Sequence, residues 1–124
     1  MSAAVSFTAP PPGFEPHVDF DLAAIDGADG LYSLTAAGDR GLRVFVVDPD
    51  IYLPDYRPRL SDELLEAIGV RPEEEPQVLV VARPGDTATT VNLLAPVLLN
   101  RDTGRCSQVI LSDQNWPVAG ELRA

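Results

Sequence analysis

The 124-residue sequence contains no lysine, one cysteine and one histidine. The lone Cys106 cannot form an intramolecular disulfide, and together with His17 it cannot supply the four ligands of a zinc site. No apolar run approaches the roughly 20 residues that span a bilayer. The first residues lack a basic segment followed by a long apolar one, so we expect no signal peptide. These absences agree with a reducing cytoplasm, and we expect a cytoplasmic protein with no membrane contact.

The residue types that catalysis uses form no known motif. The serines have no Gly-x-Ser-x-Gly surroundings, and no glycine-rich phosphate loop is present. Cys106 begins an apolar strand with no histidine near it in the sequence, which favours a buried thiol over a nucleophile. Asp48, Asp50 and Asp55 could offer oxygens to calcium, but their spacing is not that of a calcium loop and prolines interrupt it. We therefore expect no catalytic residue, no metal and no cofactor.

Acidic side chains dominate the charge, with 19 of them against nine arginines and a formal net charge of −10. Such a chain repels phosphate backbones, so direct nucleic-acid binding is not expected. The same field favours basic protein partners, although solubility alone is an alternative reason for it. Most of the excess lies in residues 48–75. Besides Asp55, the acidic residues that we expect to supply this field are Asp48, Asp50, Asp62, Glu63, Glu66, Glu73, Glu74 and Glu75.

Short apolar segments between turn signals predict an all-β domain of about eight strands. They cover residues 3–8, 18–22, 31–34, 42–47, 77–83, 107–111 and two halves of 89–99, divided at Pro96. The spacings are too short for β-α-β units, so the strands should pair antiparallel. Without a helical layer, closure into a small barrel or a strongly curved sheet buries the apolar faces, and we predict a barrel-like domain. We predict one domain over residues 1–124, with its core at about 3–113 and a poorly ordered tail at 114–124.

One short helix is predicted at about residues 62–68. Ser61 suits the N-cap, and Gly69 can adopt the left-handed conformation that ends a helix. Leu64, Leu65 and Ile68 form one apolar stripe. The helix has only about two turns, so it needs the sheet beneath it for stability.

An aromatic loop follows the strand at 42–47. Pro49 and Pro54 fix the backbone and remove donors, so this segment leaves the sheet as a bent, semi-rigid loop. Its large side chains either fold back on the core or face a partner, and interface energy concentrates in such anchors. The residues that we predict to contact a partner are Ile51, Tyr52, Leu53, Asp55 and Tyr56.

Two further contact candidates lie outside that loop. Phe14 follows a proline-rich turn, where burial in the core is the main alternative. Asn92 lies within an apolar strand and either pairs with internal backbone or offers its amide to a partner. The sequence leaves both questions open.

Four short elements occur in an order that is typical of one protein family. Gly13-Phe14-Glu15 is similar to a PGFE element, and 47–49 with 54–56 resembles a DP…PDY element. Residues 90–96 resemble a TVNLxAP strand, and 108–111 a QVIL strand. Together these elements extend over about residues 7–113, and in this order they resemble the flagellar assembly factor FliW family. Residues 27–41, the turn at 100–105 and the tail from 115 depart from the family pattern.

The resemblance implies a barrel-like, non-catalytic protein that binds flagellin in the cytoplasm in a chaperone-like way. It also implies binding of the translational regulator CsrA, which relieves repression of flagellin mRNA and couples flagellin synthesis to flagellum assembly. A monomer is the expected state. The alternative is a small β-barrel ligand-binding protein or enzyme that uses the acidic loop around Asp48 and Asp55. A deep apolar pocket with converging polar groups would favour that alternative, and a flat apolar patch edged with carboxylates would favour partner binding.

Overall fold

The computed structural model describes residues 2–71 and 73–122, which form nine strands and two short helices. The helices are α1 (Pro49–Tyr52) and α2 (Asp62–Ala67). The strands are β1 (Ser2–Phe7), β2 (Asp19–Ala24), β3 (Leu31–Ala36), β4 (Arg43–Val47), β5 (Gln77–Pro84), β6 (Thr89–Val91), β7 (Val97–Leu99), β8 (Arg105–Gln108) and β9 (Gly120–Leu122).

Seven of the strands close into a barrel. Their order is β4-β3-β2-β1-β8-β7-β5, and β5 pairs back onto β4 through Phe45↔Ala82, Val46↔Val81 and Val47↔Val80. The far end of β5 also pairs with β6, and β6 pairs with β9, so these two strands extend the sheet beside the barrel. The prediction of a small all-β barrel is confirmed.

The prediction that the strands pair antiparallel is wrong for one pair of neighbouring strands in the barrel. β1 and β8 run parallel, with Ser6 opposite Arg105 and Phe7 opposite Cys106. The reason is topological, because an odd number of strands cannot alternate in direction all the way around a closed ring. The parallel pair joins strands that are distant in sequence, where no hairpin sets their relative direction.

The barrel interior is filled by the inward faces of the seven barrel strands. Side chains at alternate positions point inward, as the two-residue period of a strand requires. Phe20 is 1% exposed and lies against Phe7, with ring centroids 5.2 Å apart in an edge-to-face contact. Other buried members of this cluster are Val5, Leu22, Leu34, Ala36, Val46, Leu79, Val97, Leu99 and Cys106.

The outer face of the barrel is covered on one side. The aromatic loop and Trp116 pack over Val80, Ala82 and Val91. Next to this layer, α2 places its apolar stripe on Leu98 and the segment after β8. Because β5 is buried on both faces, its sequence is a continuous apolar run rather than an alternating one.

The helix α2 confirms the predicted short helix. Ser61 is its N-cap and accepts a hydrogen bond from the Leu64 amide at 3.3 Å, and Gly69 has φ +76° just past its end. The helix α1 was not predicted. Asp48 caps it by accepting from the Asp50 amide at 2.9 Å, and Pro49 occupies the first turn, where a missing donor costs nothing. No helix of the described residues combines the length and the apolar character needed to cross a membrane.

The structure also corrects the prediction of a poorly ordered tail at residues 114–124. Residues 120–122 form β9, which pairs with β6 from Thr89↔Leu122 to Val91↔Gly120. A strand of three residues is too short to show an alternating pattern, so its sequence carried no signal. Residues 123 and 124 of the predicted tail lie outside the described residues.

Candidate interaction surface

The aromatic loop begins as the helix α1, which is fixed to the turn before β3. The Asp48 amide donates to the Gly30 carbonyl at 2.8 Å, and the Tyr52 hydroxyl donates to the Asp29 carbonyl at 2.9 Å. Ile51 lies directly over Gly30, since a Cβ placed on that glycine would come within 2.8 Å of the isoleucine Cδ1. Ile51 nevertheless stays 55% exposed. The loop therefore presents one large apolar side chain on a rigid support.

Tyr56 lies inside the protein, which corrects the prediction that it contacts a partner. Only 5% of it is exposed, and its hydroxyl donates to the Leu93 carbonyl at 2.6 Å. Trp116 packs edge-on against its ring, with centroids 4.6 Å apart. Burial raises the pKa of Tyr56 to about 12. For this residue the fold-back alternative is the correct one.

Tyr52 and Leu53 are half-buried and pack on the same cluster, whereas Asp55 is exposed. Between the loop and the tail runs an open groove of about 330 Å³. We call it the aromatic groove, and it is lined by Tyr52, Leu53, Pro54, Asp55, Tyr56, Leu93, Trp116 and Glu121. Sequence reasoning missed Trp116 and Glu121, because both come from the tail that was expected to lack structure.

The predicted electrostatic residues are distributed over three elements. Asp48 and Asp50 lie on or beside α1, and Asp62, Glu63 and Glu66 are exposed on α2. Asp48, Asp50 and Glu75 meet in a second open groove of about 410 Å³, which also contains Arg57 and Arg101. This groove beside the acidic loop is a mixed-charge surface rather than a deep pocket.

Arg71 neutralises part of the acidic link between α2 and β5. Its Nε lies 3.3 Å from Oε1 of Glu74 and 3.9 Å from Oε2 of Glu73. The backbone amide of Arg71 also donates to Glu74 at 3.0 Å, and this bond is the main reason that the pKa of Glu74 is lowered. Among the described residues of 48–75, the exposed acids outside these ion pairs are Asp50, Asp55, Asp62, Glu63, Glu66 and Glu75.

Phe14 and Asn92 lie apart from the aromatic groove, and the structure brings the two together elsewhere. Both line a pocket at one end of the barrel, which we call the end pocket. Phe14 is half-buried and packs edge-on against Phe20, with centroids 5.7 Å apart. Asn92 uses its side-chain oxygen internally, accepting from the Ala95 amide at 3.1 Å. Each residue thus has a structural role as well as a partly exposed side.

The single thiol lies in the barrel interior. Cys106 is 1% exposed in the barrel interior, and burial raises its pKa to about 12, so it stays protonated at neutral pH. Among the described residues, no group of three or more His, Cys, Asp or Glu side chains is placed to hold a metal ion.

Comparison with known proteins gives the family. The family model described as FliW protein matches residues 1–122. The flagellar assembly factor FliW of Treponema denticola is 28% identical over 114 residues, covering 90% of this chain and 77% of that protein. The FliW of Ruminiclostridium cellulolyticum is 32% identical over 109 residues, covering 86% and 74%. That of Bacillus subtilis is 29% identical over 117 residues, covering 89% and 81%.

A solved structure agrees with these sequence relatives. A crystal structure of the flagellar assembly factor FliW superimposes with a TM-score of 0.86 at 27% identity, covering 95% of this chain and 84% of that one. The relatives are named for an assembly role rather than for a reaction. The model match, the relatives and the fold agree, and the chain belongs to the FliW family of flagellar assembly factors.

Proposed function

We propose that this chain acts without catalysis, by binding flagellin in the cytoplasm in a chaperone-like way and by antagonising CsrA. Family membership supports a role in flagellar assembly. The observation that carries the proposal is the exposure of Ile51, 55% of which is open to solvent on a turn that also bears Asp50. An exposed apolar anchor edged with carboxylates is typical of a protein-binding surface.

The support beneath Ile51 favours binding. The hydrogen bonds from Asp48 and Tyr52 to residues 29 and 30 hold α1 in place before any partner arrives. A preorganised anchor loses little conformational entropy on binding. The aromatic groove offers a second recess nearby, with Asp55 at its edge. An apolar segment of a partner that also carries basic residues would match this combination.

The exposed acids provide a physical route to CsrA antagonism. An acidic protein docked beside an RNA-binding surface raises the electrostatic cost of RNA approach without covering each RNA contact. Residues 48–75 would supply that field through exposed carboxylates such as Glu66 and Glu75. The effect should weaken as salt shortens the range of the field.

The first experiment tests the anchor. Ile51→Asp should weaken binding of purified flagellin or CsrA by at least about tenfold in calorimetry. A carboxylate at this position would replace the apolar contact that Ile51 makes with the partner in this proposal. Ile110→Asp is the matched control, since Ile110 is 69% exposed on the segment after β8. Equal affinities for both variants would remove Ile51 from the interface. Binding of neither protein by the folded wild-type chain would contradict the proposed function.

The second experiment tests the field. Glu66→Lys with Glu75→Lys should leave CsrA bound but reduce displacement of labelled flagellin-leader RNA. Asp26→Lys with Asp86→Lys changes the net charge equally, at exposed acids outside residues 48–75, and should retain displacement. If the first pair binds CsrA and displaces RNA as the wild type does, the electrostatic route is wrong.

A further inference from the structure

The barrel has a pocket at one end that partner binding through the aromatic loop does not use. We propose that this end pocket binds a small free amphiphile with a compact apolar body and a single carboxylate. The inference does not depend on the proposed function. The lining residues that carry it are Phe7, Phe14, Val81, Arg83, Thr90 and Asn92.

The pocket arises from the inward rows of the barrel strands. On β5, Leu79 and Val81 face the interior, and by the same alternation Arg83 is the next residue of that face. On β8, Gln108 likewise follows Cys106. The inward-facing side chains of these two strands are therefore apolar in the middle of the barrel and polar at this end. The β1–β2 connection closes the side of the recess with prolines and Phe14.

Arg83 gives the pocket a charge opposite to that of the protein. Among the residues that the structure describes, it is the only charged one in the lining, whereas the whole chain carries −10. Register places Thr90 directly opposite Arg83 on the neighbouring strand. Within residues 2–71 and 73–122, no hydrogen bond or ion pair is recorded for the Arg83 guanidinium. A guanidinium beside an apolar recess is suited to hold a carboxylate through charge-assisted hydrogen bonds.

Asn92 and Thr90 add further donors. The Asn92 oxygen accepts from the Ala95 amide, so its NH₂ group is the part of the side chain left for a ligand. The Thr90 hydroxyl can donate as well. The register places Glu121 of β9 opposite Thr90, and Glu15 follows Phe14 with its carboxylate accepting from the Gly13 amide at 3.2 Å. Neither residue lines the pocket. The donors at this end therefore favour an anion.

The volume limits the ligand to a small molecule. The pocket holds about 330 Å³, at the low end of ligand sites. At roughly 30 Å³ for each water-sized group, this corresponds to about ten non-hydrogen atoms. A medium-chain carboxylic acid such as octanoate has that size, with an alkyl chain for the aromatic floor and a head group for Arg83.

The test is titration of the whole protein with octanoate, below the concentration at which it forms micelles, followed by amide NMR. Octan-1-ol and octylammonium are the comparison ligands. The expected result is saturable shifts at Val81, Thr90 and Asn92 with octanoate, weaker shifts with the alcohol and none with the cation. Equal binding of the cation, shifts confined to other surfaces or no shifts at all would overturn the proposal.

Variants of the pocket residues test which side chain holds the carboxylate of octanoate. Arg83→Gln should weaken octanoate binding by about tenfold or more, as expected for loss of a charge-assisted hydrogen bond. Arg105→Gln, at an exposed arginine outside the pocket, should bind as the wild type does. Thr90→Val replaces the hydroxyl with a methyl group and should reduce affinity without changing the fold, as checked by circular dichroism. Unchanged affinity in Arg83→Gln, or binding of a peptide carboxyl terminus without binding of octanoate, would also refute it.

Discussion

The Tyr56 hydroxyl donates to the Leu93 carbonyl at 2.6 Å, across a separation of 37 residues. This bond ties the aromatic loop to the segment after β6, and the Tyr56 ring completes the layer over Val80 and Val91. The loop that carries the exposed Ile51 is therefore anchored by a buried neighbour only five positions away. One short segment therefore carries both an exposed apolar side chain and a buried one.

Tyr56→Phe tests that anchor. The change leaves a buried carbonyl without its partner, and we expect a loss of about 1 to 2 kcal/mol in the free energy of unfolding. Urea denaturation with an unchanged slope would measure it. Tyr52→Phe is the matched control, because the hydrogen bond from its hydroxyl to the Asp29 carbonyl is exposed to solvent and should be worth less. A larger loss at Tyr52 than at Tyr56 would contradict this account.

Alkaline pH should destabilise the fold because two buried groups, the Cys106 thiol and the Tyr56 hydroxyl, resist losing their protons. Burial raises the pKa of Cys106 from 9.0 to about 12 and that of Tyr56 from 10.0 to about 12. The unfolded chain loses these protons first, so it binds fewer protons than the folded chain above about pH 9, and stability falls as pH rises toward 12. Cys106→Ala and Tyr56→Phe should each flatten the decline between these limits, as followed by thermal melts. A slope that neither variant changes would assign the decline to other groups.

Gly104 closes the parallel seam and should not tolerate a side chain. Its φ is +79°, and a Cβ there would lie 2.7 Å from the Ala4 carbonyl oxygen. Gly104→Ala should cost at least about 2 kcal/mol, since backbone strain and a backbone clash add. At Gly27, φ is +82° and nothing lies within 4 Å of such a Cβ, so Gly27→Ala should cost only about 1 kcal/mol. Equal costs in chemical denaturation would show that the clash relaxes freely.

Asn100 joins α2 to the turn between β7 and β8. Its side chain is buried, donates to the Ile68 carbonyl at 2.9 Å and accepts from the Asp102 amide at 3.0 Å. Asn100→Ala should lower the free energy of unfolding by about 2 to 3 kcal/mol, because two backbone groups lose their partner. Asn115→Ala, at an exposed position, should stay within about 0.5 kcal/mol. A mild effect at Asn100 would mean that water replaces its amide.

Local signals in the sequence predicted the elements that local chemistry controls. Ser61 and Gly69 mark the two ends of α2, and the turns and alternating segments locate most of the strands. The helix α1 has the same kind of signal in Asp48 and Pro49, but its four residues are fewer than a helical pattern needs. The parallel seam depends on the number of strands in the ring, which no single segment records.

The candidate site was predictable only in part. The aromatic loop was located from its prolines, but the burial of Tyr56 depends on Leu93 and Trp116, which come from distant segments. The end pocket also assembles residues from several strands. One signal could have indicated it, because continuing the alternation of β5 past Val81 places Arg83 on the inward face.

Closure of the ring limits how any other polypeptide can attach. Each of the seven barrel strands has a hydrogen-bonded neighbour on both sides, so an incoming extended segment finds little open ladder along the barrel to join. Within the described residues, β9 at the end of the order has a single partner, and β1 pairs with β8 only at Ser6 and Phe7. Recognition by strand addition is thus limited to such margins, and elsewhere selectivity must come from side-chain chemistry.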